Sequence, residues 1–381
     1  MAAIHMRESS EYFKGLDSQI STALYKERLL SGNIKFVIGV ITVKRKYKKS
    51  SHSKSPSYLL HSMALIDKTV KWSKYFDSSV PFICNVDLNP NDHKDALNLY
   101  AYLPYSERYG NNSFNAPLLT LPNSDSTFKS WTKHASKYNK ETVDYSFCLR
   151  TAAYLKPNFV ILIEDDTIPH IDFPTILEHM IESRLKSLPK YAYLKLYFPP
   201  KWQGFAAELS TIFDLALWAS IMACIVSLCL LLLSKCGLRF SHDVLMIDFS
   251  KYYLSLQCIS KIPLKNKAFI SLYLVCLITI WLLGRQNVEA LRRLWRYFYR
   301  LEQANGCCTQ AQLYPIDVVE ALSEYLLSVP VTTHTDLAIS DFAAERDLPA
   351  WQVEPNLFFH NGLITSLNGG QKHPEEFMFG L

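Results

Sequence analysis

Residues Asn158 to Pro169 read NFVILIEDDTIP. An unbroken β-branched and apolar run ends abruptly in Glu164, Asp165 and Asp166. Such a run reads as a strand buried on both faces of a sheet. In open α/β sheets, ligands bind outside the carboxyl ends of the strands. Three adjacent carboxylates at that edge repel one another unless a cation sits among them, and hard oxygen ligands suit Mg²⁺ or Mn²⁺. The same triplet also reads as a solvated acidic turn.

Working outward, further strands appear at Ile34 to Val43 (IKFVIGVITV), Pro81 to Asp87 (PFICNVD) and Ala192 to Tyr197. Helical periodicity runs through Tyr58 to Phe76 and Glu141 to Leu155, the latter stopped by Pro157. Strand alternating with helix predicts an α/β fold on a parallel sheet. Later segments predict a basic helix over Val288 to Glu302, a turn at Cys307-Cys308, and helices near Ile316 to Leu327 and Asp336 to Arg346.

Two charge-free runs interrupt this pattern. Leu215 to Leu233 is LALWASIMACIVSLCLLLL and Ala268 to Gly284 is AFISLYLVCLITIWLLG. Crossing the hydrocarbon takes ~20 apolar residues, range ~17–25. A helical hairpin in the membrane is expected, with Lys265, Lys267 and Arg285 at the flanks. Two buried core helices are the alternative. Basic residues divide six against six between the two sides of the hairpin, so charge does not orient it. The boundaries expected are a polar helical segment at 1–32, a first part of the α/β domain at 33–210, the hairpin with its connecting loop at 211–284, and a second part of that domain at 285–381.

Composition supports a folded, membrane-associated chain. Of 381 residues, 49% are hydrophobic and 20% charged, which excludes a disordered protein. Mean hydropathy is +0.01. A net charge of +5 gives no argument for nucleic acid. Met1 to Gly32 is polar and lacks the apolar core of a signal peptide. Either the hairpin itself directs insertion or an upstream anchor lies outside this chain. Of nine cysteines, Cys84, Cys148, Cys307 and Cys308 lie outside the hairpin, a number that permits two disulfides. Asn111 opens an Asn-Asn-Ser glycosylation sequon. These features tilt the large portion towards an oxidising lumen.

The acid triplet resembles the Asp-x-Asp motif of glycosyltransferases of the nucleotide-sugar-binding type A fold. The motif order is more specific. CLR before the acidic strand, YLKLYFP, a membrane hairpin, CCTQAQLYP and VEPNLFFHNG follow one another. That order resembles the Golgi family that adds an N-acetylgalactosamine side chain to the glycan of glycosylphosphatidylinositol (GPI) anchors, over roughly residues 33–368. The family has an N-terminal membrane anchor, which Met1 to Gly32 does not supply.

The resemblance implies an inverting transferase using UDP-N-acetylgalactosamine and a mannose of the GPI glycan, in the Golgi membrane with a luminal catalytic domain and Mn²⁺ or Mg²⁺. Asp166 would be the direct metal ligand, Asp165 a second ligand or sugar contact, and Glu164 would lie nearer the ribose or sugar. His360 would complete the metal shell, or be an ordinary histidine. Asp336 at a helix start would be the general base, or an N-cap, with Asp341 and Glu345 as rivals. Uracil and ribose would meet Thr42, Lys44 and Arg45 after the first strand, and Asn85 and Asp87 after the second. Arg150 would pair with the diphosphate or the acids, or form an internal salt bridge. Adjacent Cys307 and Cys308 are free thiols by default. In an oxidising lumen they become a vicinal disulfide beside an acceptor-site loop, TQAQLYP, with Cys84 paired to Cys148. The competing functions are a non-catalytic membrane scaffold and a metal-dependent phosphoesterase.

Overall fold

The run Ile34 to Val43 forms β1 (Phe36–Thr42), almost wholly buried. Its side chains alternate between two cores, as the two-residue period of a strand requires. Phe36, Ile38 and Val40 join one cluster and Val37 joins the other. Gly39 lies mid-strand, where a Cβ would come within 2.6 Å of the Phe82 ring, so only glycine fits. A computed structural model of the protein describes residues 2–45, 57–109, 136–205, 209–235, 264–304 and 306–362. It forms two compact units, Met1–Pro199 with Arg293–Leu381, and Pro200–Arg292.

In the first unit the strands are β1, β2 (Val80–Asn85), β3 (Tyr105–Glu107), β4 (Phe159–Glu164), β5 (Thr167–Pro169), β6 (Tyr193–Lys195), β7 (Arg300–Gln303), β8 (Ala311–Pro315), β9 (Ala350–Glu354) and β10 (Phe358–His360). Eight of them build one sheet in the order β3-β2-β1-β4-β8-β6-β9-β7, and β10 pairs with β5. β3, β2, β1 and β4 run parallel. β8 runs antiparallel to both β4 and β6. The expectation of a parallel sheet therefore holds for one half, and a reversed strand at its centre joins the halves. That strand is AQLYP, expected in a loop. The expected basic helix over Val288 to Glu302 is broken. Two short 3₁₀ turns, Ala290–Leu294 and Arg296–Phe298, lead into β7.

Helices cover both faces. Those of this unit are α1 (Ala2–Lys14), α2 (Ser18–Ser31), α3 (Tyr58–Trp72), α4 (Lys94–Leu99), α5 (Lys137–Ala153) and α6 (Phe173–Ser183). One core takes Leu59 and Met63 of α3 with Ile176 and Leu177 of α6. The other takes Val143 and Leu149 of α5 and residues of two later helices. The first two helices dock on α3 through one buried carboxylate. Asp67 accepts from Tyr12 at 2.7 Å and Lys71 at 2.8 Å, and from Tyr25. Cys84 and Cys148 are joined, tying β2 to α5.

The second unit holds α7 (Leu209–Lys235), α8 (Leu264–Leu283) and α9 (Arg285–Glu289). Leu209–Leu233 is long and apolar enough to cross a membrane, with mean hydropathy 2.5 and most of its apolar stretch unburied. A core helix would be buried. Phe269–Leu283 and Arg285–Leu294 pass the same test together, as a pair bent by 98°. Ala219 and Ala223 of α7, and Cys276 and Ile280 of α8, are buried where the two helices pack, small residues allowing close approach. Buried Asp214 pairs with Arg285 and Arg292, each at 3.4 Å.

The last two helices of the first unit are α10 (Ile316–Ser328) and α11 (Thr335–Glu345), which supply Val318, Leu322 and Ile339 to the second core.

Candidate active site

Asp165 and Asp166 form the turn between β4 and β5, and both are buried. A guanidinium lies among the acids. Arg45 bonds Asp165 and lies 2.8 Å from Asp166 Oδ2. Its guanidinium carbon sits 5.0 Å from the centre of the Tyr58 ring. Burial works against the charge of Arg45, but Asp165 and Asp166 outweigh it and raise its pKa. This places Arg45 inside the acid cluster rather than on a nucleoside.

Asp165 has both carboxylate oxygens engaged. Thr42 Oγ1 donates to Oδ2 at 2.7 Å, and Arg45 holds Oδ1. The Thr42 oxygen in turn accepts from His93 Nε2 at 2.8 Å. Burial lowers the pKa of His93, which favours the neutral imidazole. Ser62 donates to the Asp165 carbonyl at 2.7 Å. Asp165 and Thr42, expected to touch metal or donor, brace the turn in this arrangement.

The oxygen of Asp166 that Arg45 approaches, Oδ2, also faces β10. β10 runs antiparallel to β5 with His360 opposite Thr167, so the register puts the imidazole beside the acid. His360 Nε2 lies 3.1 Å from Asp166 Oδ2. The Asn361 N–H donates to the Asp166 carbonyl at 2.9 Å, extending the pairing. Upstream, Asn356 fixes the turn that delivers β10, with its amide donating to the Phe198 carbonyl at 2.7 Å. Gly362 leaves room at the carboxylate, since a Cβ there would lie 1.8 Å from Oδ2. One carboxylate and one imidazole suit a divalent cation that keeps its other positions for phosphate oxygens and water. Among the described residues no group of three or more His, Cys, Asp and Glu could hold a metal ion.

Glu164 closes the third side. Its Oε1 accepts from Thr309 Oγ1 at 2.8 Å, and its N–H donates to the Gln310 carbonyl at 2.9 Å. Two residues missing from the sequence expectation lie close by. Glu141, on α5, has its carboxyl pushed up to about 8 by burial and by the charges of Glu164 and Asp336. Lys195, on β6, is 2% exposed. A charge between Leu194 and Leu196 in an otherwise buried strand was a visible signal for Lys195. Glu141 gave none.

Asp336 sits in the first turn of α11. Its Oδ2 accepts from the Cys308 N–H at 3.0 Å and its Oδ1 from the Leu337 N–H at 2.9 Å. The N-cap is His334, so Asp336 is not the cap. Its rivals on α11 lie at the surface. Asp341 is exposed, and exposed Glu345 accepts from Tyr325 at 2.7 Å. Cys307 and Cys308 are joined to each other.

Beyond β1, a cavity of about 340 Å³ is lined by Lys44, Tyr58, His93, Asp95 and Asp165, among others. Asp87 accepts from the backbone N–H of Lys44 at 2.8 Å and from that of Asn89 at 2.8 Å, shaping its rim. Asn85, expected on the donor, is fully buried and donates to Tyr105 at 2.8 Å. Arg150 likewise points elsewhere. It donates to Ser323 at 2.9 Å and pairs with Glu324 at 3.6 Å, the internal salt bridge. Asn111 lies outside the described residues.

Residues 36–359 match the family of the GPI-N-acetylgalactosamine transferase PGAP4. The chain belongs to that family. It is a glycosyltransferase, and the family transfers N-acetylgalactosamine to the GPI glycan. The matched span begins in β1 and ends in β10, and the two apolar helices lie within it.

Proposed function

We propose that the chain is a metal-dependent, inverting transferase of the type A glycosyltransferase fold, with a membrane hairpin set into its catalytic domain. It moves N-acetylgalactosamine from UDP-N-acetylgalactosamine to a mannose of the GPI glycan, in the Golgi membrane with the site facing the lumen. The observation that carries this reading is the pairing of Asp166 with His360 at the end of β4. Those two residues would hold Mn²⁺ or Mg²⁺. When bound, the cation neutralises charge on the departing diphosphate.

The other residues divide the work. Arg45, Thr42 and His93 keep Asp165 and the turn rigid, so Asp166 is presented in one orientation. The cavity beside Asp165 receives the uracil nucleoside. Its polar lining, including Lys44, Asp92, Lys94 and Asp95, offers donors and acceptors for the ring. Glu164 faces the sugar. Asp336 takes the proton of the mannose hydroxyl as the new glycosidic bond forms on the face opposite the departing UDP. A bilayer-held acceptor suits an enzyme whose own chain offers one or two candidate membrane helices. Two disulfides outside those helices suit an oxidising compartment.

The test is a donor panel. Detergent-solubilised full-length protein is given GPI-glycan acceptor and a series of UDP-sugars, with and without Mn²⁺. Transfer from UDP-N-acetylgalactosamine that requires the metal and inverts the anomeric centre supports the reading. Undiminished transfer in the presence of a strong chelator removes the metal from it.

A further inference from the structure

One peptide group in the site is gripped at both ends. The carbonyl of Cys307 accepts a hydrogen bond from Lys195 Nζ. The N–H of Cys308, the other end of the same peptide, donates to Asp336 Oδ2 at 3.0 Å. The next two residues reach the donor-side acid, through Thr309 Oγ1 on Glu164 and the Gln310 carbonyl on the Glu164 N–H. Gln312 adds a bond from its side chain to the Cys308 carbonyl at 2.8 Å.

Two features set this arrangement apart from ordinary loop packing. Cys308 has φ of 78°, left-handed backbone that a residue with a side chain rarely adopts. Such residues persist where the surroundings over-determine them, and they cluster at functional sites. Lys195 is buried, and its ammonium is costly to desolvate. Burial lowers its pKa to about 8, against the pull of Asp336.

We propose that Lys195 and the disulfide-linked Cys307–Cys308 peptide are positioning elements for Asp336. Lys195 pulls on the peptide oxygen, which polarises and fixes the N–H that orients the carboxylate. Polarisation along a chain of hydrogen bonds strengthens each of them. The cysteine ring keeps the peptide from rotating, which would turn its oxygen on Asp336. With Cys308 on Oδ2 and Leu337 on Oδ1, the carboxylate has one fixed orientation towards the acceptor hydroxyl. This proposal rests on Asp336 being the base.

The test compares Lys195→Met, Lys195→Arg, the double variant C307S/C308S and Asp336→Asn in the full-length protein. A thermal shift with UDP and Mn²⁺ confirms that each variant keeps its donor site. Lys195→Met and C307S/C308S are expected to lose about 10–100-fold in kcat, by analogy with the loss seen when the outer partner that orients a metal ligand is removed. KM for UDP-N-acetylgalactosamine stays near wild type, and Lys195→Arg recovers part of kcat. Lys195→Met added to Asp336→Asn costs nothing further, since both act through one group. Wild-type kcat in Lys195→Met, beside a large loss in Asp336→Asn, overturns the positioning role and leaves the base standing. Wild-type kcat in Asp336→Asn overturns the base, and the positioning role with it. Should Lys195→Met fail the thermal check, C307S/C308S decides by the same criteria.

Discussion

His360 Nε2 lies 3.1 Å from Asp166 Oδ2, although the two residues belong to the two separate stretches of sequence that form the first unit. The pairing of β10 with β5 creates this contact, since its register sets His360 against Thr167. If the two residues share a cation, His360→Ala removes a ligand without disturbing the buried turn. Metal-supported UDP binding is expected to weaken by at least about 10–100-fold, the range seen for residues that merely support metal ligands. Titration calorimetry with UDP and Mn²⁺ checks it. Unchanged metal dependence takes His360 out of the site.

Gly362→Ala tests the same spot by sterics. The added Cβ would stand 1.8 Å from Asp166 Oδ2, so backbone or carboxylate must move. Overpacking of this kind costs about 1–3 kcal/mol, and the displaced carboxylate should lose transfer by about tenfold or more. Chemical denaturation and transfer rate, measured together, report both effects. A fully active, fully stable variant means that the β10 end does not crowd Asp166.

Glu141 predicts a pH dependence of stability. Burial, then Glu164 and Asp336, push its carboxyl from 4.5 up to about 8. A carboxyl raised on folding holds its proton in the folded state while the unfolded chain has lost it. Its contribution is therefore complete below pH 4.5 and fades as pH rises through about 8. Glu141→Gln should flatten that fall and melt higher than wild type at pH 9, by on the order of 2 kcal/mol. Parallel melting curves in both proteins across that range would refute the assignment.

The bond between Cys84 and Cys148 closes a stretch of 64 residues between β2 and α5. A loop of that length stabilises by about 4 kcal/mol in the chain-entropy account. C84S/C148S is expected to lose roughly that much in denaturant unfolding. A loss near zero would mean that the masking of β2 by α5 needs no covalent tie.

Much of this site was legible in NFVILIEDD. Its apolar run makes β4, and the edge position of its acids follows from where that run stops. The charge-free runs were likewise legible as long apolar helices. Other features were hidden for physical reasons. AQLYP mixes polar and apolar residues because Gln312 and Tyr314 bond each other inside the sheet, so it reads as a loop. Val288 to Glu302 is rich in helix formers, but tertiary pairing of Arg300–Gln303 with β9 overrides that propensity. Arg45 looks like any residue of a basic loop, and only the folded turn reveals it as the counter-charge of Asp165 and Asp166. Asn85 and Arg150 were polar residues at plausible places whose partners lie in the interior and on α10.

The central claim is that Asp166, with His360, holds the cation through which the donor diphosphate is bound. The most direct measurement is the melting shift produced by Mn²⁺ plus UDP in wild type and in Asp166→Asn. Asn keeps the shape and removes the charge, so the fold should survive while most of the shift disappears, together with transfer. A wild-type shift in Asp166→Asn would contradict the claim.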